Sequence, residues 1–354
     1  MQRVLHTYRN LSRIFNILEG LYAYISDTER SFDDVLWVDK SFAPLCRILQ
    51  EHLVDFNPPV EKPLNLPKIS PVHVRPREIT VCLSGGKDSA ACAFYYIQQG
   101  YIVHLYHAAG INKAYGDEKQ AAEKIAKYLG CDLYIDKIHL EGKNVFIEHP
   151  LKNYVIANGA IHYCLYNGYT PRIAFGNFRK SSLEDNEFEV CAGDCIEMWD
   201  AYKPIIQSVL PEFNIEIPLQ SNADTFWLLR QDWELFKLSV SCMSPFRFRE
   251  HWKHRTQEKY NVRIFDNRCG CCWKCCLEWM WLADIGAVDY NETYYIHCFE
   301  ILEKTIIKET GEPGESLQAI WDQYMFYPIE QSKAYDKLVN KKLIRPRRRN
   351  NATI

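Results

Sequence analysis

The chain contains no run of about 18 apolar residues, so no membrane-spanning helix is expected from it. It also lacks an excess of positive charge. Lys and Arg total 42 against 45 Asp and Glu, a formal net charge of −3, so no global basic field marks the whole chain as a nucleic-acid binder. The first ten residues, Met1 to Asn10, have no apolar core of a secretory leader, which sets a cytoplasmic expectation. No internal repeat is visible. Two nucleotide-binding signatures are missing as well: the Walker A loop, with four residues between its first glycine and Gly-Lys, and the Gly-x-Gly-x-x-Gly of dinucleotide binders. What remains is ordinary globular composition, 47% hydrophobic and 25% charged over 354 residues, enough for roughly two domains.

Cysteine is the exception to that ordinariness. Of 14 cysteines, eight are scattered singly and read as small buried hydrophobes of a reducing compartment. The other six are Cys242 and a tight group at Cys269, Cys271, Cys272, Cys275 and Cys276.

Periodicity divides the chain. Residues 1–75 form an N-terminal extension in which Leu11, Ile14, Phe15, Leu18 and Leu21 recur at helical spacing, ending in a proline-rich linker from Pro58 to Pro71. Residues 76–240 alternate short apolar runs (Ile79–Leu83, Tyr101–Tyr106, Asp132–Ile135, Arg172–Phe175) with helical stretches, two of them stopped by Gly100 and Gly130. This predicts an α/β fold, a doubly wound, mainly parallel sheet with helices on both faces. Residues 241–290 carry the cysteines, and 291–354 read as a helical C-terminal region with a basic tail, Lys341 to Arg349, read as a solvated end rather than a nucleic-acid arm. Ligands of such sheets bind at the carboxyl ends of strands, where Ser84–Ser89, His107 to Gly110 and Gly176-Asn177 would meet.

Directly after the first strand stands Ser84-Gly85-Gly86-Lys87-Asp88-Ser89. Two glycines let the backbone approach a ligand, and the N–H groups of the turn and of the following helix would point at phosphate oxygens. Ser84 and Ser89 add hydroxyls, Lys87 adds a positive charge if it turns inward, and Asp88 is a candidate for holding Mg²⁺ against the phosphates. The alternative is an ordinary glycine-rich turn with a capping serine.

Cys269, Cys272 and Cys275 form C-x2-C-x2-C, a spacing that presents three thiolates to one Zn²⁺. Cys242 is the best fourth ligand, with His251, His254, Cys271 and Cys276 as competitors. A redox or persulfide role, an iron–sulfur cluster and simple packing are the other readings.

The hexapeptide resembles the SGGxDS loop of the N-type ATP pyrophosphatases, the PP-loop family with its adenine nucleotide alpha-hydrolase-like fold. Ser241-Cys242 followed by Cys269-Gly270 through Cys275 is similar to the four-cysteine zinc element of the 7-cyano-7-deazaguanine synthases, the QueC-like branch. The stretch Ala121–Gly130, Tyr115-Gly116, Gly176-Asn177 and Gly193-Asp194-Cys195 resemble that branch too. The resemblance covers roughly residues 78–290. It implies that ATP is split at the α-phosphate: the carboxylate of 7-carboxy-7-deazaguanine is adenylated, pyrophosphate leaves, and ammonia gives an amide and then a nitrile. It implies ATP and Mg²⁺ at Ser84, Gly85, Gly86, Lys87, Asp88, Ser89, His107 and Gly176, with Lys87, Asp88 and Asn177 catalytic and Lys180 a weaker candidate. It also implies structural Zn²⁺ on Cys242, Cys269, Cys272 and Cys275, holding a lid near the substrate.

Three departures stand out. The segment between Cys242 and Cys269 is long, basic and aromatic, read as a solvated loop or as a docking surface. The lysine that the family has after Pro-Leu is missing beyond Pro218-Leu219, with Arg230 the first cation. Both extensions lack a counterpart. Extended QueC-like proteins occur in some anti-phage operons, so ligation to an amine of a protein acceptor in antiviral defence stays open. A tRNA sulfurtransferase using Cys271 and Cys276, a scaffold without turnover, and a homodimer stay open as well.

Overall fold

The computed structural model describes residues 74–109, 118–137, 152–176, 196–207, 210–220, 222–242, 244, 246–310, 321 and 329–344. They divide into two compact units, Met1–Ser239 and Val240–Ile354. The N-terminal extension, its linker and the basic stretch from Arg345 lie outside the described residues.

The first unit is built on five parallel strands: β1 (Glu78–Cys82), β2 (Ile102–Ala109), β3 (Leu133–Lys137), β4 (Arg172–Phe175) and β5 (Asn214–Glu216), in the order β3-β2-β1-β4-β5. The apolar run of β1 is buried throughout, as a central strand covered on both faces must be. Between the strands run α1 (Lys87–Gln98), α2 (Glu118–Leu129), α3 (Lys152–Asn167) and α4 (Ile196–Gln207), followed by α5 (Asn222–Leu229) and α6 (Trp233–Leu238).

Crossover handedness decides the layers. From β1 to β2 to β3 the chain steps one way across the sheet, and from β3 to β4 to β5 it steps the other way. Right-handed connections then put α1 and α2 on one face and α3 and α4 on the opposite face. Ala90, Ala91, Cys92 and Ala93 of α1 are fully buried against the strands, and Ala157, Ala160, Ile161 and Cys164 of α3 fill the other side. The two directions of travel part between β1 and β4, and ligands of open α/β sheets bind at that switch point.

The opposite edge of the sheet is closed by a buried carboxylate. Glu78, 1% exposed, accepts hydrogen bonds from Arg75 (2.7 Å), from the amide and hydroxyl of Thr170 (2.9 Å each) and from His104 Nε2 (3.2 Å). Burial alone would raise its pKa, but these bonds outweigh burial and hold it below the usual value. A carboxyl lowered in the folded state stabilises above its unfolded pKa, and that stabilisation is lost as pH falls through the folded pKa. We therefore expect Glu78→Gln to cost about 1–3 kcal/mol at neutral pH. Urea midpoints followed from neutral to acid pH should converge for the two proteins as the wild-type carboxyl takes up its proton.

The second unit contains α7 (Phe246–Tyr260), α8 (Trp273–Asp284), α9 (Glu292–Thr310), a short 3₁₀ turn (Ile329–Gln331) and α10 (Tyr335–Asn340). Helix α8 packs on α9 with Trp279 edge-on to Tyr294 (4.5 Å) and Tyr295 donating to Asp284 (2.6 Å), both tyrosines fully buried. Helix α7 corrects the reading of residues 243–268 as a solvated loop. The segment from Phe246 to Tyr260 has no glycine or proline, and its Arg, Glu, Lys and Gln residues are good helix formers. Among the described residues no helix is long and apolar enough to cross a membrane.

Candidate active site and metal centre

The turn after β1 sits at the β1/β4 switch point and is closed by its own hydroxyls. Ser84 N donates to Ser89 Oγ (3.1 Å), the two serine hydroxyls lie 3.0 Å apart, Gly86 N donates to Ser84 Oγ (3.1 Å), and Ser89 Oγ donates to Gly86 O (3.0 Å). The first-turn N–H groups of α1, at Lys87, Asp88 and Ser89, have no acceptor inside the helix, as at every helix start. Such a start has the polarity to receive an anion.

Two glycines are required here by contact. Gly85 has φ +89°, and a Cβ on it would fall 2.4 Å from the carbonyl oxygen of Glu118 at the start of α2. A Cβ on Gly176 would lie 2.5 Å from the backbone of Asp88 and Ser89. The end of β4 is thus pressed against the turn, bringing together two of the segments expected to converge.

Lys87 does turn inward. Its ammonium donates to both oxygens of Asp88 (2.7 and 3.0 Å) and lies 5.4 Å above the ring of Phe226, with the side chain 7% exposed. The Asp88 carboxylate is more open, at 33%, and accepts a further bond from Thr225 Oγ1 at 2.8 Å. Thr225 and Phe226 escaped sequence reading; their one signal is their position in the stretch after Pro218-Leu219, where the family resemblance calls for a lysine. Arg230 stacks on Trp227 at 4.2 Å on the exposed side of α5. Lys87 itself supplies a cation beside this carboxylate.

His107 is buried, and its Nδ1 donates to the carbonyl of Leu83 at 2.8 Å, directly ahead of the turn. Burial lowers its pKa and favours the neutral ring. From there it braces the end of β1. Asn177, Lys180, Gly110, the Tyr115-Gly116 pair and Gly193-Asp194-Cys195 lie outside the described residues.

In the second unit the sulfur atoms of Cys242, Cys269, Cys272 and Cys275 all lie within 4.8 Å of one another. Four thiolates around one Zn²⁺ at ~2.3 Å stand roughly 3.8 Å apart. Cys269 and Cys275 are 3.9 Å apart, and the donor set fits the ion. Cys269 Sγ also accepts from Ser244 Oγ (3.1 Å), Cys272 N (3.3 Å) and Cys271 N (3.4 Å). Contacts from Cys242, Cys271, Cys272 and Cys275 pull its pKa strongly down, against the effect of burial. At Cys242 the contact with Cys269 works the other way, but Cys272 and Cys275 outweigh it and the pKa falls to about 7. Cys271 lies 3.5 Å from Cys269 outside the tetrad, and Cys276 is buried with its thiol against Gly270 O.

A carboxylate ties the ligand-bearing segments together. Glu278 on α8 accepts from Arg268 Nε at 2.6 Å and from the hydroxyl of Ser241, the neighbours of Cys269 and Cys242. The Arg268 and Glu278 side chains are 3% and 2% exposed. Breaking a buried pair from one side costs about 3–5 kcal/mol, so Glu278→Ala should lower the unfolding free energy of this unit by that amount. Chemical denaturation of the zinc-loaded protein measures it.

No protein-family model matches the chain. It is 37% identical over 70 residues to 7-cyano-7-deazaguanine synthase 2 of Sulfurisphaera tokodaii, a match that covers 20% of this chain and 15% of that relative. Among solved structures, a predicted subunit of a tRNA methyltransferase from Methanocaldococcus jannaschii matches 51% of this chain and 88% of its own, at 19% identity and a TM-score of 0.26, which carries no weight for the fold. The chain thus spans about 15% of the length of that relative, a synthase of the branch that the Ser84–Ser89 turn and the cysteine tetrad resemble in sequence.

Proposed function

We propose that the protein is an ATP-dependent ligase that activates a carboxylate, with 7-carboxy-7-deazaguanine as substrate. The observation that carries this reading is the Ser84–Ser89 turn at the switch point, closed by Gly176 and carrying the Lys87–Asp88–Thr225 cluster at its base. The short identity with a deazaguanine synthase supports the choice of acid.

The chemistry needs no protein nucleophile. A carboxylate oxygen attacks the α-phosphorus of ATP, the bond to the β-phosphate oxygen breaks, and pyrophosphate leaves with the electron pair. Ammonia then attacks the acyl carbon of the acyl adenylate, loses a proton and expels AMP, leaving an amide. The amide oxygen then attacks the α-phosphorus of a second ATP and releases pyrophosphate; loss of two protons and of AMP, which carries off that oxygen, gives a nitrile.

The turn's part is positioning and charge stabilisation. N–H groups of Gly85 and of the first turn of α1 would hold the β- and γ-phosphates. Asp88, held by Thr225, would carry Mg²⁺, which neutralises phosphate charge as the leaving group forms. Lys87 orients Asp88 and balances its charge from the buried side. Zn²⁺ on Cys242, Cys269, Cys272 and Cys275 would be structural, since four protein ligands leave no open position for substrate.

The test is release of AMP and pyrophosphate with a panel of carboxylated deazapurines, with and without ammonium. Release that requires 7-carboxy-7-deazaguanine, with the amide or nitrile found by mass spectrometry, supports the proposal. Pyrophosphate release with none of the acids would overturn it.

A further inference from the structure

Helix α7 has two faces, and only one is used by the metal centre. The inward face carries Arg249, 2% exposed and bonded to the carbonyls of Ser244 (3.0 Å) and Cys242 (3.4 Å). It also carries Thr256, whose hydroxyl donates to Cys269 O at 3.4 Å, and Lys253, paired with Asp266 at 2.5 Å. Steps of four, three and four residues put Phe248, Trp252, Arg255 and Lys259 on another stripe, all exposed.

That outward stripe is unusual in two respects. Phe248 and Trp252 are 45% and 37% exposed, and each lies beside a guanidinium: Arg247 is 4.6 Å from the Phe248 ring, and Arg255 is 5.6 Å from Trp252. Second, with Arg249 and Lys253 turned inward, the exposed part of the helix still presents Arg247, Arg255 and Lys259 against Glu250 and Glu258. At its last turn the stripe enters a cleft of about 460 Å³, lined by Lys259, Tyr260, His297, Lys341 and Glu300, with Lys337 paired to Glu292 across it. Inside it Tyr260 stacks on His297 with centroids 4.9 Å apart.

We infer that the outward face of α7 and the cleft at its end form a docking track for single-stranded nucleic acid. Exposed rings with cations beside them are stacking platforms for unpaired bases, and the cations follow the phosphates between them. An acidic peptide would use the cations and leave both rings in water. A duplex keeps its bases stacked inside and has no face to offer Phe248 and Trp252. The inference stands independently of the reaction proposed for the first unit.

Fluorescence anisotropy of the full-length, zinc-loaded protein with a labelled, unstructured RNA of about 16 nucleotides tests it. Binding is expected at about 50 mM salt and should weaken steeply by about 200 mM. Phe248→Ala with Trp252→Ala should raise Kd about tenfold or more, from stacking worth ~1–3 kcal/mol per base. Arg255→Gln with Lys259→Gln should reduce the salt slope by about 0.7 for each phosphate that is no longer neutralised. Zinc content and thermal midpoint are measured in parallel; if the aromatic pair loses zinc, the charge pair decides.

Three results would overturn the inference. One is no binding at low salt. Another is wild-type affinity in both variants, including binding that disappears only when residues 345–354 are removed. The third is equally good competition by polyglutamate or by a duplex of the same length.

Discussion

Asp88→Asn is expected to reduce ATP-dependent pyrophosphate release by about 10²–10³-fold, the scale on which removal of one well-placed electrostatic group from a transition state is felt. The side chain has nearly the same shape, and Thr225 can still donate to its oxygen. What is lost is the negative charge, and with it the hold on Mg²⁺ proposed for this carboxylate. The buried Lys87 ammonium also loses its counterion at 2.7 Å, so stability must be followed beside activity. Thr225→Val separates the two effects. It keeps the carboxylate and removes one hydrogen bond of 2.8 Å, so a smaller fall, about tenfold, is expected. An Asp88→Asn protein that melts like wild type but retains pyrophosphate release would remove Asp88 from the reaction. Lys87→Met should resemble Thr225→Val more than Asp88→Asn if the lysine acts through the carboxylate.

Removing zinc should have the largest effect on stability. Structural Zn²⁺ contributes on the order of 10 kcal/mol of apparent binding free energy at neutral pH, more than the whole stability of many domains. Chelation is therefore expected to unfold the second unit, seen as loss of amide protection in α8 and α9. Elemental analysis should find one zinc per chain. Serine at Cys242, Cys269, Cys272 or Cys275 should lower that content and the thermal midpoint together. Cys269 should be the worst of the four, because Ser244 Oγ and two backbone amides also converge on its sulfur. Serine at Cys271 should leave zinc at one per chain, since that thiol lies outside the tetrad. Iron or labile sulfide in the purified protein would reject zinc as the resident ion.

The parts of this molecule that are legible in the sequence are those where local chemistry and tertiary role coincide. β1 is apolar because both its faces are covered, and the glycine turn is short because helix α1 starts directly behind it, so alternation and motif reveal both. Side chains whose role depends on distant partners are not legible. Thr225 and Phe226 reach the turn from α5, more than a hundred residues along, and nothing in their own neighbourhood marks a hydroxyl that holds Asp88. Glu278 looks like any acidic residue on a helix until Arg268 and Ser241 close on it. Helix α7 is hidden for a different reason. Its charge density suggests solvent, but the inward stripe is itself polar, Arg249, Lys253 and Thr256, so no apolar periodicity announces a packed face.

The Glu278 carboxylate bears on how the metal centre assembles. Cys242 and Cys269 are 27 positions apart in the chain, and bringing the ends of such a loop together costs roughly 3 kcal/mol of chain entropy. Glu278 bonds the immediate neighbours of both cysteines, so the same loop is closed twice, once by a carboxylate and once by the tetrad. One loss of loop entropy therefore serves two sets of contacts, and removing the carboxylate should weaken zinc retention and folding together.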